Sequence, residues 1–230
     1  MGEMGRDFDG GYAEYALLPD DLLMPITTAL PREVLAALPE TYLTAYGALD
    51  ALGAGPGDRL LIRGGTSSVG TAAASIASGR GIEVAATTRR PDKAAALTAA
   101  GVEHVLVEPG RPRDDWASHV LDLVGTDTVA ESLRLVRRGG TVCVAGSLSG
   151  WLLRDFEPIA TIPSGTRLTA FHSNDLRGCA GAATLQRIVD DVAAGVYRPN
   201  VDRVFGLDEV AAAHRYMEEN RASGKVVMLP

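Results

Sequence analysis

"LLIRGGTSSVGTAAASIA", residues 60–77, decides how the rest of the chain is read. Leu60-Leu61-Ile62 has the composition of a buried strand. It runs into a knot of small residues, Gly64-Gly65-Thr66-Ser67-Ser68, followed by Val69-Gly70 and an alanine-rich stretch of good helix formers. A strand that turns through small residues straight into a helix points the helix's unpaired N–H groups, and its positive dipole end, at whatever lies over the turn. Gly65, Ser67 and Gly70 fall in a G-x-G-x-x-G frame, with serine at the middle glycine. On those residues alone, a Gly/Ser-rich turn that holds nothing is the competing reading.

The surroundings favour a phosphate turn. Short apolar runs predict strands at 59–63, 82–87, 104–107, 119–123 and 141–145, with helical spacing at 68–78, 92–100 and 128–137. Continuous apolar strands such as Val142-Cys143-Val144-Ala145 fit a parallel sheet covered by helices on both faces. This alternation predicts a doubly wound α/β (Rossmann) sheet in which 60–70 is the first strand-to-helix turn. Upstream, Gly10–Pro19 reads as a turn and a short strand stopped by proline. Residues 33–52 read as helix broken at Pro39. Downstream, a strand at 167–171, a helix at 181–194, a strand at 203–205, a helix at 208–220 and a strand at 225–229 complete the chain.

Where a NAD-binding sheet would place an acid on the ribose diol, the second strand ends Ala86-Thr87-Thr88-Arg89-Arg90, with Lys93 one helical turn on. No acid stands at that strand end. Thr88, Arg89, Arg90 and Lys93 together suit the 2′-phosphate of NADPH, while each arginine singly also reads as a solvated loop charge.

The chain has 230 residues and a formal net charge of -7, which speaks against nucleic acid as a partner. No apolar run has membrane-spanning length, and the acidic start lacks a signal-peptide core. Two cysteines, Cys143 and Cys179, cannot build a disulfide framework, so a cytoplasmic location is expected.

"GGYAEYALLP", "ALPETYLTAYGAL", "GDRLLIRGGTSSVG", "AAGVEHVL", "VRRGGTVCVAG" and "VFGLDEVAAAHRYMEENRASGKVVMLP" together resemble the medium-chain dehydrogenase/reductase superfamily, most closely its zinc-independent quinone oxidoreductase branch. The resemblance covers nearly the whole chain. It implies an NADPH-dependent oxidoreductase that transfers a hydride to a quinone or α,β-unsaturated carbonyl. Carried over by position, Thr44 lies near the nicotinamide, Gly65, Ser67, Ser68, Val69 and Gly70 hold the pyrophosphate, and Lys93, Arg221 and Lys225 supply positive charge to the cofactor. Gly146 and Ser147 lie beneath the nicotinamide, and Phe171 and Ser173 continue the groove. The resemblance also implies a domain layout: 1–40 as the remnant of a GroES-like catalytic domain, 41–175 as the NADP-binding Rossmann domain, and 176–230 completing that domain and returning to the remnant. About a hundred residues of a two-domain layout are then expected to be absent at the front. The rival expectation is a truncated, catalytically inactive nucleotide-binding or interaction module.

His104, His119, His172 and His214 show no metal-ligand spacing with the cysteines, so no metal is expected. Tyr42 and Tyr46 lie one helical turn apart near the expected nicotinamide, and His172 ends a strand facing the same cleft. Tyr46 and His172 are therefore the candidate catalytic residues, with packing roles as the alternative. "RPRDDWASHV", 111–120, reads as a solvated loop or a helix start capped by Asp114 or Asp115. The strand at 167–171 should form the outer edge of the sheet, and an unpaired edge predicts a homodimer.

Overall fold

The computed structural model describes residues 4–5, 7–150, 152–176 and 178–230. Two short helices, α1 (Arg32–Ala36) and α2 (Pro39–Leu52), lead into the sheet. Proline stands just before α1 and opens α2, where its missing N–H costs nothing. Gly53 closes α2 in the left-handed region at φ 66°.

The sheet is built from β1 (Arg59–Arg63), β2 (Glu83–Thr88), β3 (His104–Val107), β4 (Ala117–Asp122), β5 (Val136–Val144) and β6 (Arg167–Ala170), in the order β3-β2-β1-β4-β5-β6. All five pairings are parallel. The order reverses between β1 and β4, which opens the crevice where such sheets bind ligands. Helices α3 (Ser68–Gly79), α4 (Ala94–Ala99), α5 (Val129–Leu135), α6 (Pro158–Thr161) and α7 (Gly178–Ala193) follow in chain order. A separate parallel pair, β7 (Val201–Gly206) and β8 (Lys225–Leu229), is linked by α8 (Val210–Glu218).

Alternation along the central strands sorts the core into two layers. Leu60 and Ile62 of β1 join α2, α3 and α7 on one face through Leu49, Ala73, Ile76 and Ile188. Leu61 points to the other face with Val120, Leu133 and Val142. Both layers are fully dry at their centres, and burying a Leu or Ile side chain contributes roughly 1.5–3 kcal/mol.

The structure departs from the sequence reading at two places. Residues 12–19 form no strand: Tyr15 and Leu17 stand 89% and 95% exposed, and no described strand pairs with the segment. Strand β5 starts at Val136 rather than 141, because Val136 pairs with Ala117 across a bulge and ends α5 early. Of the two readings of 111–120, the loop is observed: it runs to Trp116, with Asp115 at φ 59°, and β4 begins at Ala117. The expected edge is as read, with β6 outermost.

Candidate functional site

Because the six strands are parallel, their C-terminal ends share one margin of the sheet. Every segment singled out for cofactor binding in the sheet follows one of those ends. The turn after β1 is shaped by steric exclusion. Gly64 takes φ 75°, which glycine adopts without strain. A Cβ on Gly65 would lie 2.7 Å from Cβ of Ala86 and 3.2 Å from the Thr87 carbonyl oxygen. A Cβ on Gly70 would lie 2.5 Å from the Gly65 carbonyl oxygen and 2.7 Å from that of Gly64. The turn is thus wedged between β2 and the first turn of α3.

Ser67 explains its own place in the frame. It caps α3: its hydroxyl donates to the Gly64 carbonyl at 2.9 Å and accepts from Gly70 N–H at 3.0 Å. A serine cap contributes about 1 kcal/mol to the helix. No acid lies in the first turn of α3, so its dipole is left uncompensated there. Ser68, half-buried at that helix start, lines a cavity of about 550 Å³ whose other walls include Tyr12, Met217, Lys225 and Met228. Val69 packs into the core behind it. Lys225 lies 3.8 Å from Glu40 on the rim.

At the end of β2, Thr88 is buried and exchanges two hydrogen bonds with the Arg90 backbone, accepting from N–H at 3.0 Å and donating to the carbonyl at 3.2 Å. Arg89 is exposed and pairs with no described acid. Arg90 is not available in the same way. It grips Asp92 with two bonds of 2.8 and 2.6 Å, and that hydrogen-bonded pairing holds the Asp92 carboxyl below its usual range. Lys93 is 5% exposed. Its ammonium donates to Asn220 Oδ1 at 3.2 Å and to the Ala222 carbonyl, with burial pushing its pKa down. The structure therefore brings Lys93 and the 219–222 segment together. Arg221 stacks on Tyr216 at 4.8 Å and lies 3.4 Å from Glu219.

On the other side of the reversal point, Thr44 is buried on α2, its hydroxyl 3.5 Å from Glu40 Oε1. Phe171 extends β6, donating its N–H to the Val144 carbonyl at 3.1 Å, and its ring fills the space left by Gly47 of α2. A Cβ on Gly47 would stand 2.5 Å from Cε2 of that ring. Ser173, half-buried, opens a 3-10 turn that follows. Gly146 and Ser147, also half-buried, leave β5 against the loop after β4. A Cβ on Gly146 would come within 2.6 Å of the Leu123 carbonyl carbon.

One expectation does not survive this geometry. Tyr46 does not face the strand ends. Its ring lies under the Arg80 and Arg187 guanidiniums, 4.3 and 5.7 Å away, and Arg80 closes the far end of α3. It is a packing residue. Tyr42 is likewise buried against Tyr197, and burial pushes its phenol up to about 12. His172 lies at the margin as expected, where its Nδ1 accepts the Asn174 N–H at 3.2 Å and caps the 3-10 turn.

One residue escaped the sequence reading. Asp122, the last of β4, is wholly buried. Its Oδ1 accepts from Val124 N–H, Gly125 N–H and Thr128 Oγ1 at 3.0, 3.0 and 2.8 Å, and its Oδ2 accepts from Ser132 Oγ at 2.7 Å. The available signal was an acid inside the apolar run "HVLDLVG", which a buried strand tolerates only when the carboxylate is fully bonded.

The donor sets of the described residues fit a dinucleotide. The wedged glycine turn and the dipole of α3, which no acid compensates, leave a backbone cradle of the kind that phosphates fill. By contrast, His104 bonds Glu83, His119 bonds Asp58 and His214 bonds Tyr12, so these side chains are dispersed rather than convergent. Cys143 lies in the dry core, where burial pushes its thiol up to about 12. Among the described residues no three His, Cys, Asp or Glu side chains are placed to hold a metal ion.

Comparison with known proteins agrees with this architecture. Residues 100–228 match the family described as zinc-binding dehydrogenase. The spectinabilin polyketide synthase system protein NorB of Streptomyces orinoci is 31% identical over 89% of this chain and 10% of its own length. A quinone oxidoreductase of Pongo abelii is 28% identical over 96% of this chain and 69% of its own. The crystal structure of a NAD-dependent alcohol dehydrogenase superposes with a TM-score of 0.78 at 29% identity, over 96% of this chain and 66% of that one. The chain thus spans a tenth of the synthase and about two thirds of the single enzymes. With a sheet ordered β3-β2-β1-β4-β5-β6, a glycine-wedged turn at its reversal point and a family match over more than half its residues, the chain belongs to the zinc-binding dehydrogenase family of the medium-chain dehydrogenase/reductase superfamily.

Proposed function

We propose that the protein is an NADPH-dependent oxidoreductase that delivers a hydride to a quinone or an α,β-unsaturated carbonyl without a metal. The observation that carries the reading is the turn 64–70, where two glycines admit no side chain and the dipole of α3 meets no acid. The bound nicotinamide would supply the hydride. The chain's own residues bind and orient. Gly65, Ser67, Ser68, Val69 and Gly70 hold the pyrophosphate by backbone approach and dipole, and Lys225 adds charge on the cavity rim. Thr88, Arg89, Lys93 and Arg221 serve the 2′-phosphate, with Arg90 already neutralised by Asp92. Thr44, Gly146, Ser147, Phe171 and Ser173 bound the nicotinamide and exclude water. Tyr46 is not retained as an acid, and solvent or His172 at the margin protonates the product.

Two further parts belong to the proposal. Residues 1–40 act with the β7–α8–β8 unit as catalytic-domain structure beside the Rossmann domain of 41–175, and 176–193 complete that domain. The exposed β6 edge pairs with a second copy in a cytoplasmic homodimer, as light scattering at micromolar concentration would show by a mass near twice 24.1 kDa.

Calorimetry with NADPH and NADH, followed by NADPH oxidation with a simple quinone, tests the reading. One charge-assisted phosphate contact stabilises by ~1.5–3 kcal/mol, so NADPH should bind at least about tenfold more tightly. Equal dissociation constants would overturn the NADPH preference. Binding without turnover would instead favour a nucleotide-binding module, and binding of neither would overturn the whole reading.

A further inference from the structure

We propose that Asp122 is the positioning residue for the segment that carries the nicotinamide, a step that rests on the dinucleotide reading above. Its carboxylate is wholly buried and faces no open surface. It acts through two loops. The first, Leu123–Thr128, is folded around it: both oxygens are saturated by two backbone N–H groups and two hydroxyls, all from residues 124–132. A buried carboxylate with four donors is held far more rigidly than a turn closed by backbone bonds alone, because any donor that leaves strands a charge in a dry site.

The second loop, Gly146–Gly150, is built on the first. Ala145 N–H donates to the Asp122 carbonyl at 3.0 Å. Ser149 donates to the Val124 carbonyl twice, from N–H at 2.9 Å and from its hydroxyl at 3.1 Å. Asp127 N–H donates back to the Ser149 hydroxyl at 3.1 Å. Steric fit closes the same joint. Gly125 adopts φ 105°, and a Cβ there would lie 3.0 Å from the Gly146 carbonyl oxygen and 3.1 Å from Cα of Ser147. Gly146 has no room for a Cβ against Leu123. The two loops can therefore move only together, and the Asp122 carboxylate fixes the lower one.

The consequence is specific to one half of the ligand. The joint lies beyond β4 and β5, whereas the adenosine 2′-phosphate residues follow β2 and lie near 219–222. Loosening the joint should weaken contacts to the nicotinamide half and leave the adenosine half alone. A side chain that merely stabilised the fold would not discriminate between them.

The experiment compares the wild type with Asp122→Asn, Asp122→Ala and Thr128→Val, reading NADPH and 2′,5′-ADP affinities by calorimetry alongside the melting temperature. Asp122→Asn keeps the three-donor oxygen and disturbs the bond from Ser132, so NADPH affinity should change less than about threefold. Asp122→Ala should weaken NADPH at least tenfold while 2′,5′-ADP stays within about twofold. If Asp122→Ala does not fold, Thr128→Val, which removes one donor at 2.8 Å, should show the same asymmetry at about threefold. Equal loss of both ligands, or a lower melting temperature with both affinities unchanged, would overturn the proposal. Absence of any nucleotide binding by the wild type would overturn the dinucleotide reading first, and this proposal with it.

Discussion

Replacing Gly70 by alanine sets helix propensity against fit at one atom. In an open helix the change stabilises by about 1 kcal/mol. Here the new methyl would meet the Gly65 carbonyl oxygen at 2.5 Å and the Gly64 carbonyl oxygen at 2.7 Å. Both obstacles are main chain. The turn cannot retreat, because Gly65 N–H is fixed to the Thr87 carbonyl at 3.0 Å and Gly65 is itself pressed against Ala86. So α3 must lift, and the Ser67 cap to Gly70 N–H must stretch from 3.0 Å. Overpacking costs typically ~1–3 kcal/mol, and an unyielding backbone obstacle belongs at the upper end. After the propensity gain, a net loss of roughly 1–2 kcal/mol remains, or about 2–8 °C in melting temperature for a chain of this size. Nucleotide affinity should fall about tenfold or more, since the lifted helix carries the N–H groups away from the phosphates. Gly55→Ala is the control, as nothing lies within 4 Å of a Cβ there. Thermal melts and calorimetry on both variants read the result. A Gly70→Ala protein that melts at or above the wild type with unchanged affinity would refute the reasoning.

The base of the sheet carries a pH dependence unrelated to the nucleotide. Burial holds the His119 pKa below its usual value despite Asp58 at 3.3 Å, with Arg137 and Arg167 adding to the effect, so the folded state keeps the ring neutral while the unfolded chain protonates it. Stability from this group is complete above the unfolded value of about 6.5 and is lost as pH falls through the lower folded value. Asp58 is also depressed: burial works against this but is outweighed by the Gly55 N–H, His119 and Ser118, so its contribution fades only below a pH of about 4. Denaturant midpoints should drop between pH 7 and 5, and His119→Gln should flatten that slope; an unchanged slope would contradict it. Cys143, with its thiol pushed up to about 12, should resist a thiol reagent at pH 8 in a Cys179→Ala background until the chain unfolds. Rapid labelling of the native protein would show that the strand is open.

Most of the fold was legible because its signals are local. The apolar runs, the Pro39 break and the glycine turn each fix their element by sterics or hydrophobic pattern within a few residues, and the parallel order follows from strand–helix alternation. The short strand expected within 10–19 failed because a strand needs a pairing partner that local composition does not supply, and no described strand pairs with this segment. Tyr46 failed for a related reason. Helical spacing put it one turn from Tyr42, but which side of α2 faced the strand ends depended on Arg80 and Arg187, residues 34 and 141 positions away.

The candidate site divides along the same line between local and distant cause. Its glycine turn was readable, since the demand for small residues arises from the turn itself. Its charge balance was not. Arg89, Arg90 and Lys93 look equivalent in sequence, yet in the fold they have three different fates. Arg89 stays exposed, Arg90 is tied to an acid two residues on, and Lys93 is buried beneath a segment 127–129 residues away. A buried ammonium that spends its donors on Asn220 and Ala222 has fewer left for a phosphate. Lys93 is therefore better placed to hold the C-terminal segment, with Arg221 in it, beside the end of β2 than to bind as a lone point charge. In the NADPH reading proposed above, specificity for the 2′-phosphate would depend on how two distant segments are clamped together, with Arg89 and Arg221 as the exposed cations that the clamp presents.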